Sequence, residues 1–502
     1  MPWIEPERQA VPPHPRSEPR FAGTLTPDHL RAVFADCADF DERAVCLGGD
    51  PHKPGILFTI IGQVRTERLN DYVLRPLTNS SVLAQAAPAD LFRLLVDGVV
   101  YCQVIQTCGT LDEAAFAMIN GSAVLAIPDE ARMIAYVVPT EEKRSLSPPQ
   151  NEPAIKGAKD AFVESLRTNT SLVRRRLRAP ELKIRETLVG RQSVTPVDVV
   201  YLDGIAAPEL VRQVWDRVSA IDTDALLEAA ALEEQITDSV RTAFPLVADT
   251  ERPDRFCTGL TEGRVGVLVD GIPQGYLLPG TVGQFFETGQ DLAQNWIAAT
   301  CLSLLRYLCM LTSLLFPAGY VAAVRFHPEM IPARLAGSIA AAKADVPFTA
   351  LFEVLILLLA FEILQEAGLR LPGPVGQTVS ILGGLVVGSA AVEAKIVSPV
   401  VLIVVAAAGT AGYTVPSRAF SDALRLWRFL LVGAAALGGL FGIAGGLVIL
   451  VGRLARMESF GVPYLAPFTA GRRQGHGVIR WPIPWVKLRP GHLSPKNRRR
   501  QG

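Results

Sequence analysis

Several ionisable side chains stand inside long apolar stretches of the sequence, where the chemistry open to them is the binding and selection of ions. Glu353 and Glu362 lie in the apolar run 348–364, and Arg306 lies in the run 298–324. A charged side chain at the centre of a bilayer costs roughly 2.5–3.5 kcal/mol on insertion scales, so it faces protein or water rather than lipid. Rings of carboxylates recur in cation channels. The candidate intramembrane charges are therefore Glu353, Glu362 and Arg306, together with Glu393 and Lys395 just past the run 378–392.

The spacing of two of these carboxylates limits how they can be used. Glu353 and Glu362 are nine residues apart, and at about 100° per residue their side chains point half a turn apart on a helix. They therefore cannot both line one narrow pore. We expect Glu353 to face a pore or cavity, with Glu393 as a second candidate. A buried structural salt bridge, for example with Arg306 or Lys395, is the alternative, and the sequence alone does not separate the two.

Five apolar runs have to position these charges. Residues 429–452 contain no charged side chain, and about 20 apolar residues suffice to cross a hydrocarbon core roughly 30 Å thick. Residues 399–416 are also uncharged. Five such runs in roughly 160 residues would need a very large soluble core to cover them. We therefore predict an α-helical polytopic membrane domain of four to five helical runs over residues 296–453, in contact with a lipid bilayer.

Basic residues predict the orientation of this domain. Lysine and arginine are enriched in cytoplasmic loops close to span ends, which places a basic tail, residues 454–502, in the cytoplasm. We expect the N-terminal region, which shows no cleavable signal peptide, on the same side. Two ends on one side require an even number of crossings, so one of the five runs must be re-entrant, interfacial or merged with its neighbour. The basic residues behind this prediction are Arg453, Arg456, Arg472, Arg473, Arg480, Arg498, Arg499 and Arg500.

Glycine and proline interrupt the apolar runs. Breaks in a helix at membrane depth are tolerated where the backbone packs in protein or lines water. We therefore expect residues 378–416 to form a tight hairpin or a re-entrant pair. The favoured role of the glycines is close helix packing, and a gating hinge is the alternative. The pairs with small-x-x-x-small spacing are Gly384/Gly388, Gly438/Gly442 and Gly442/Gly446.

The first 290 residues alternate between helical and strand patterns, which predicts a soluble α/β fold class for this region. Proline and charged residues dominate a predicted disordered lead-in, residues 1–28. A proline-rich linker, residues 146–155, then separates subdomain 1 (29–145) from subdomain 2 (156–290). Within subdomain 1, the pattern from Leu30 to Phe40 predicts a helix.

The strand spacing suggests that the two subdomains are related. The strands predicted at Phe58 and Ala123 are 65 residues apart, and those at Val199 and Gly266 are 67 residues apart. A turn, Asn120-Gly121 or Asp270-Gly271, adjoins the later strand of each pair. Two unrelated α+β lobes with similar spacing are the alternative.

Composition and motifs argue against several classes of function. The formal net charge is zero, so global charge predicts no nucleic-acid binding. The sequence contains no phosphate-binding G-x-x-x-x-G-K-[ST], no H-E-x-x-H and no G-x-S-x-G, and its six histidines lack ligand spacing. Seven cysteines without a C-x-x-C pair are typical of reduced structural thiols. We expect no enzyme, no cofactor and no metal site, and the few spans without an evident inverted repeat argue against a secondary transporter.

A dense polar and basic segment lies between the two subdomains. Residues 157–177 (GAKDAFVESLRTNTSLVRRRL) partly follow a helical period. A solvated helix face is one interpretation, and docking onto another subunit or onto anionic lipid headgroups is the other. The polar side chains of this segment are Glu164, Arg167, Asn169, Arg174, Arg175 and Arg176.

This segment and a series of later motifs resemble one known protein family. The run Lys159 to Asn169, followed by Arg174-Arg175-Arg176, is similar to the opening signature of the A-type subunits of the GerA family of spore germination proteins. Each motif is weak alone, but together they are specific over residues 155–468. The further matches are Tyr201-Leu202-Asp203-Gly204, Arg252-Pro253-Asp254, Glu262-Gly263-Arg264-Val265, Val269-Asp270-Gly271-Ile272-Pro273, 315–321 (LFPAGYV), 327–332 (HPEMIP), 346–348 with Glu353, 366–372 (EAGLRLP) and 459–467 (SFGVPYLAP).

The resemblance implies a multi-pass subunit in the inner membrane of a bacterial spore, with its N- and C-terminal regions in the cytoplasm. In that family the A-type subunits are held to oligomerise, which implies a homo-oligomer forming a ligand-gated ion channel that triggers or amplifies germination, and the carboxylates above favour cations. Their partners are a transporter-like B-type subunit and a lipoprotein C-type subunit or, in the SpoVAF-type branch, a small membrane partner. A non-conducting receptor or scaffold subunit is the alternative. The N-terminal lobes would then serve as a docking or ligand-sensing platform that transmits strain through residues 280–297.

Overall fold

The chain consists of a sheet-rich N-terminal half followed by a helical C-terminal half. The structure, a computed structural model, describes residues 21, 23–102, 104–128, 130–140, 149, 152, 157–370, 388–466 and 468. Its internal contacts divide the chain into a first unit, Met1–Ser145 with Ser165–Glu186, and a second unit, Leu146–Glu164 with Thr187–Gly502. Residues 1–20, most of 141–156 and most of the basic tail lie outside the described residues.

The first unit is built on an antiparallel five-stranded sheet. Its strand order is β1-β2-β4-β5-β3. Short helices connect the strands, and one of them contains a π-helical segment at Leu69–Leu74. The strands are β1 (Phe40–Cys46), β2 (Pro54–Ile60), β3 (Ile105–Cys108), β4 (Ser122–Ala126) and β5 (Met133–Val137), and the helices are α1 (Pro27–Val33), α2 (Thr66–Arg68), α3 (Arg75–Asn79), α4 (Ser81–Gln85), α5 (Leu91–Val96), α6 (Leu111–Ile119) and α7 (Leu166–Arg176), with 3-10 turns at Leu47–Gly49 and Pro88–Asp90.

Both faces of this sheet are covered. Along β4, Val124 packs into one apolar cluster with α1 and α6, whereas its neighbour Leu125 packs into a second cluster with α3 to α5. Successive side chains of a strand point to opposite faces, so a strand buried on both faces reads as a continuous apolar run. The central strand β4 is buried at all five positions, which is why the sequence identifies it easily.

Two predicted helices near this unit have different bounds in the structure. The helix expected from Leu30 to Phe40 ends at Val33, and Phe40 already begins β1. Asp36 between them has a left-handed φ of 61°, which no regular helix permits. The helical spacing over 157–177 holds only for α7, since Phe162 is extended: its N–H donates to the Glu251 carbonyl and its ring meets Phe256 edge-on.

The second unit contains a sheet with the same connectivity. Its strand order is β6-β7-β9-β10-β8, which repeats the order of the first sheet one strand for one strand. This shared strand order supports the predicted relation between the two subdomains. The strands are β6 (Leu182–Val189), which begins in the first unit, β7 (Thr195–Leu202), β8 (Ala248–Thr250), β9 (Val265–Val269) and β10 (Gly275–Leu278), and the helices are α8 (Pro208–Ser219), α9 (Ala229–Ile236), α10 (Pro253–Thr261), α11 (Val282–Phe285) and α12 (Gly289–Leu292).

Long apolar helices follow in the same unit. Two of them, α13 and α17, are long and apolar enough to cross a membrane by length and composition, and α16 is a shorter apolar helix. Residues 388–393 are also helical, but most of the predicted run 378–392, with Gly384, lies outside the described residues. The helices are α13 (Trp296–Phe326), α14 (Ala333–Lys343), α15 (Ala350–Arg370), α16 (Pro399–Gly412) and α17 (Arg418–Arg456), with a 3-10 turn at Pro328–Met330, and a two-stranded ribbon, β11 (Glu458–Ser459) and β12 (Val462–Pro463), comes after them.

Candidate functional site: paired charges in the helical region

Glu353 is buried where three helices meet. It lies in the first turn of α15 and is 0% exposed. The Lys343 ammonium nitrogen at the end of α14 lies 3.0 Å from its Oε1. The backbone N–H of Ser398, the N-cap residue of α16, donates to its Oε2 at 2.8 Å. One carboxylate therefore joins the end of α14 to the beginnings of α15 and α16.

Glu362 has partners of its own on α17. Arg428 donates to Oε1 of Glu362 at 2.6 Å, and the Arg425 guanidinium lies 3.5 Å from Oε2. The Arg428 side chain is almost fully buried. A small cavity of about 10 Å³, at the lower limit for one water molecule, adjoins the two arginines, and Ser313 and Gln365 are among its lining residues.

Arg306 binds the segment that leads into α13. Its guanidinium donates to both carboxylate oxygens of Asp291, at 2.6 and 2.8 Å, and to the carbonyl of Phe286 at 3.0 Å. Asp291 is itself fixed, because its Oδ2 accepts the backbone N–H of Thr288 at 2.9 Å in a capping box. A planar guanidinium that meets a carboxylate with two bonds is a specific, charge-assisted contact.

Glu393 and Lys395 lie on the surface. Lys395 pairs with Asp345 at 2.7 Å, and both side chains are more than half exposed. The hydrogen bond from Lys395 lowers the pKa of the Asp345 carboxyl. Glu393 is exposed and belongs to none of the buried clusters above. Of the three sequence-predicted carboxylates, Glu353 is fully buried, Glu362 is 22% exposed, and Glu393 is the most open to solvent.

The structure brings none of the five predicted charges together. Glu353 pairs with Lys343, so the suggested partners Arg306 and Lys395 were wrong. The partners that the sequence analysis missed stand at the ends of neighbouring runs. Their position is the signal that could have identified them, since a basic residue at the end of one helix, such as Lys343, can reach an acid in the first turn of the next helix. These missed partners are Asp291, Lys343, Asp345, Arg425 and Arg428.

The basic segment of α7 belongs to the interior of the first unit. Arg174 is 0% exposed and binds both carboxylate oxygens of Asp39, the second at 2.7 Å. Burial opposes the charged guanidinium, but Asp39 outweighs it and raises the pKa of Arg174. Asn169 is buried as well, and Arg167 pairs with Glu186. Arg174 therefore lies neither on a solvated face nor on a surface open to lipid headgroups.

The other motif residues have local roles. The carbonyl of Glu164 accepts the N–H of Gly271 at 2.7 Å, and Gly271 has a left-handed φ of 84° that glycine adopts without strain. Arg175 and Arg176 are partly exposed. Among the described residues, no three His, Cys, Asp or Glu side chains are grouped as metal ligands.

Comparison with known proteins assigns the family. A family model described as Bacillus/Clostridium GerA spore germination protein matches residues 28–492. The chain belongs to the GerA family. Spore germination protein B1 of Bacillus subtilis (strain 168) is 35% identical over 456 residues, covering 90% of this chain and 93% of that protein. Spore germination protein GerLA of Bacillus cereus is 34% identical over 470 residues, covering 93% and 95%.

A solved structure is also similar to part of this GerA-family chain. It is described as the N-terminal domain of the A subunit of the Bacillus megaterium spore germinant receptor GerK3. It is 25% identical, with a TM-score of 0.42, and covers 51% of this chain and 97% of that one. The resemblance of the sequence motifs to the GerA family is confirmed by the family match and by the relatives.

Proposed function

We propose that this GerA-family chain is a multi-pass subunit of a spore germination complex in the inner spore membrane, and that several copies assemble around a cation-conducting pore. Membership of the family supports the role in germination. Two helices long enough for a bilayer, with charges fixed between them and their neighbours, support the membrane placement. The B-type and C-type germination subunits are the proposed partners.

Glu393 is the residue that we assign to ion contact within this proposal. A carboxylate can attract cations only if it keeps a free face toward water, and Glu353 is instead enclosed by Lys343 and the N-cap of α16. Exposed Glu393 is the last of the helical residues 388–393, next to an apolar run of the predicted membrane domain. Repeated around an oligomer, this carboxylate would form a ring that concentrates cations at one mouth of the pore.

The experiment measures cation release from spores that carry the full chain. Glu393→Gln is expected to slow release by about tenfold, the low end of the effect of focused charge, with normal protein levels. Glu329→Gln, which removes an exposed acid beyond the end of α13, is the matched control and is expected to leave release unchanged. Unchanged release in both variants would refute the role of Glu393.

A non-conducting scaffold is the second candidate, and one observation favours it. Glu353, Glu362 and Arg306 each find their counter-charge inside one copy of the chain. Such pairing is expected of a helical domain without a pore of its own, which transmits a signal to a separate channel protein. Purified chain in liposomes distinguishes the two candidates, since the scaffold conducts no cations by itself under any ligand condition.

A further inference from the structure

The last apolar helix, α17, is folded back on itself. A straight helix of 39 residues would be about 58 Å long, nearly twice the thickness of a hydrocarbon core. The backbone leaves helical geometry at Gly438 (φ −132°, ψ 15°) and at Gly439 (φ 57°, ψ −136°). Two helical arms result, residues 418–437 and residues 440–456.

The two arms pack against each other through glycines. A Cβ atom placed on Gly446 would lie 2.5 Å from Cδ2 of Leu431 and 3.8 Å from Cβ of Ala434. A Cβ atom on Gly442 would collide with the carbonyl of Ala434. In one continuous helix, Leu431 and Gly446 would be about 22 Å apart at 1.5 Å per residue. The arms are therefore antiparallel neighbours in close contact.

Both ends of the hairpin are attached to the same part of the second unit. The ring of Phe420, in the first turn of α17, lies 5.4 Å from Phe244 and 5.8 Å from Phe285. The ring of Tyr464, beyond the end of α17, lies 6.5 and 6.2 Å from the same two rings. Between them, Phe460 is buried in the core of the sheet β6 to β10.

The tip of the hairpin reaches the opposite end of α13. At the near end, Phe286 stacks on Tyr307 of α13 at 4.2 Å and meets Phe420 at 5.3 Å. At the far end, a Cβ atom on Gly439 would lie 3.0 Å from Cβ of Phe326, the last residue of α13. The 19 residues from Tyr307 to Phe326 span about 28 Å, close to the full hydrocarbon thickness.

We propose that residues 418–456 cross the membrane twice, as a helical hairpin that turns at Gly438-Gly439 in the opposite face and returns to the soluble region. This proposal rests on the membrane placement proposed above and is independent of conduction. Leu437 (88% exposed) and Phe441 (85% exposed) flank the turn and face the acyl chains of the opposite leaflet. The hairpin does not change the side on which the chain ends, so the segment after Arg456 lies on the same side as the sheet β6 to β10.

The hairpin reconciles the odd number of apolar runs with the even number of crossings that two chain ends on one side require, because one run belongs to two crossings. The uncharged run 429–452 is long enough to be taken for one crossing, yet the break at Gly438-Gly439 divides it between two arms that pack on each other. Each arm is 17 to 20 residues long with its polar base, or about 26–30 Å. The charges at the base, among them Arg453 and Arg456, then meet one membrane surface together.

Disulfide trapping in the full-length protein tests the fold of the hairpin. In a variant without the native cysteines, Ala434→Cys and Gly446→Cys place their Cβ atoms at the 3.8 Å separation that suits a disulfide. Oxidation in native membranes is expected to form an intramolecular disulfide. The readout is gel electrophoresis after labelling with a thiol-reactive polymer: the monomer band then lacks the shift that two free thiols would give. Ala434→Cys with Gly445→Cys is the control, because Gly445 has no atom within 4 Å of its Cβ position. Equal trapping in the two pairs, or trapping in neither, would overturn the hairpin.

Labelling from each side of the membrane tests the same proposal without touching the packed arms. Ser239→Cys and Glu458→Cys are both exposed, one before α13 and one after α17. With a membrane-impermeant maleimide in vesicles of known orientation, both are expected to react from the same face. Reaction of Glu458→Cys from the face opposite to Ser239→Cys would mean an odd number of crossings between them and would refute the double pass.

Discussion

Removing Lys343 is expected to damage the protein more than neutralising its partner Glu353. Lys343→Ala leaves a fully buried carboxylate with one backbone N–H as its remaining close donor. Loss of one member of a buried ion pair costs about 3–5 kcal/mol, because the other charge stays desolvated. Glu353→Gln keeps an oxygen for the Ser398 N–H, and Lys343 is 20% exposed and can turn toward water. The cost there is the difference between a charged and a neutral hydrogen bond, about 1 kcal/mol.

The assay is denaturant titration of the full-length protein in detergent micelles, followed by intrinsic tryptophan fluorescence. The double variant Lys343→Met with Glu353→Gln is expected to recover most of the stability lost in Lys343→Ala, since no buried charge is left alone. Lys395→Ala is the matched control, because its pair with Asp345 is exposed and screened. Equal losses in Lys343→Ala and Glu353→Gln, or additive losses in the double variant, would refute the reasoning.

Two further predictions concern the sheet-rich half. Asp39→Asn leaves the buried Arg174 guanidinium without a counter-charge and is expected to destabilise the first unit by about 3–5 kcal/mol, measured by chemical denaturation, whereas Asp222→Asn at the exposed pair with Arg191 leaves stability unchanged. Burial, with Asp249 and Glu234 nearby, raises the pKa of the Glu233 carboxyl from about 4.5 to about 7. The folded state then holds a proton that the unfolded state has lost, so stability falls as pH rises from about 4.5 to 7 and is constant above. The melting temperature, measured across this pH range, is expected to fall with pH in the parent protein and to lose that dependence in Glu233→Gln. The same pH dependence in both proteins would contradict the raised pKa of Glu233.

The buried strands and their repeat were predictable because each repeats the same local pattern. Apart from Ser122, the residues of β4 and β9 are all apolar or glycine, and each strand adjoins an Asn-Gly or Asp-Gly turn. The edge strand β1 was missed because most of its side chains are exposed, so no alternation marks it. The partial helical period over 157–177 did not reveal that Phe162 is extended, because that conformation depends on Phe256, nearly 100 residues later.

The partners lie at the ends of apolar runs, which is a signal, but the sequence could not show which charge pairs with which, since this depends on how the helices pack. Glu362 and Arg428 are 66 residues apart, and no local pattern relates them. The glycines of α17 were more informative than their spacing suggested. Gly442 and Gly446 pack closely, as predicted, but they face the other arm of the same helix. Gly438-Gly439 marks the turn, and a glycine pair inside a long uncharged run is the signal that identifies it.

The capping box before α13 has a mechanical consequence. Asp291 accepts a hydrogen bond from the Thr288 backbone with one oxygen and from Arg306 with both. The segment before α13 is therefore fixed to the helix by several hydrogen bonds. A movement of the segment before α13 would act on the helix at Arg306, one-third of the way along α13. A displacement of this segment is therefore expected to tilt α13 and not to bend the connection between the two.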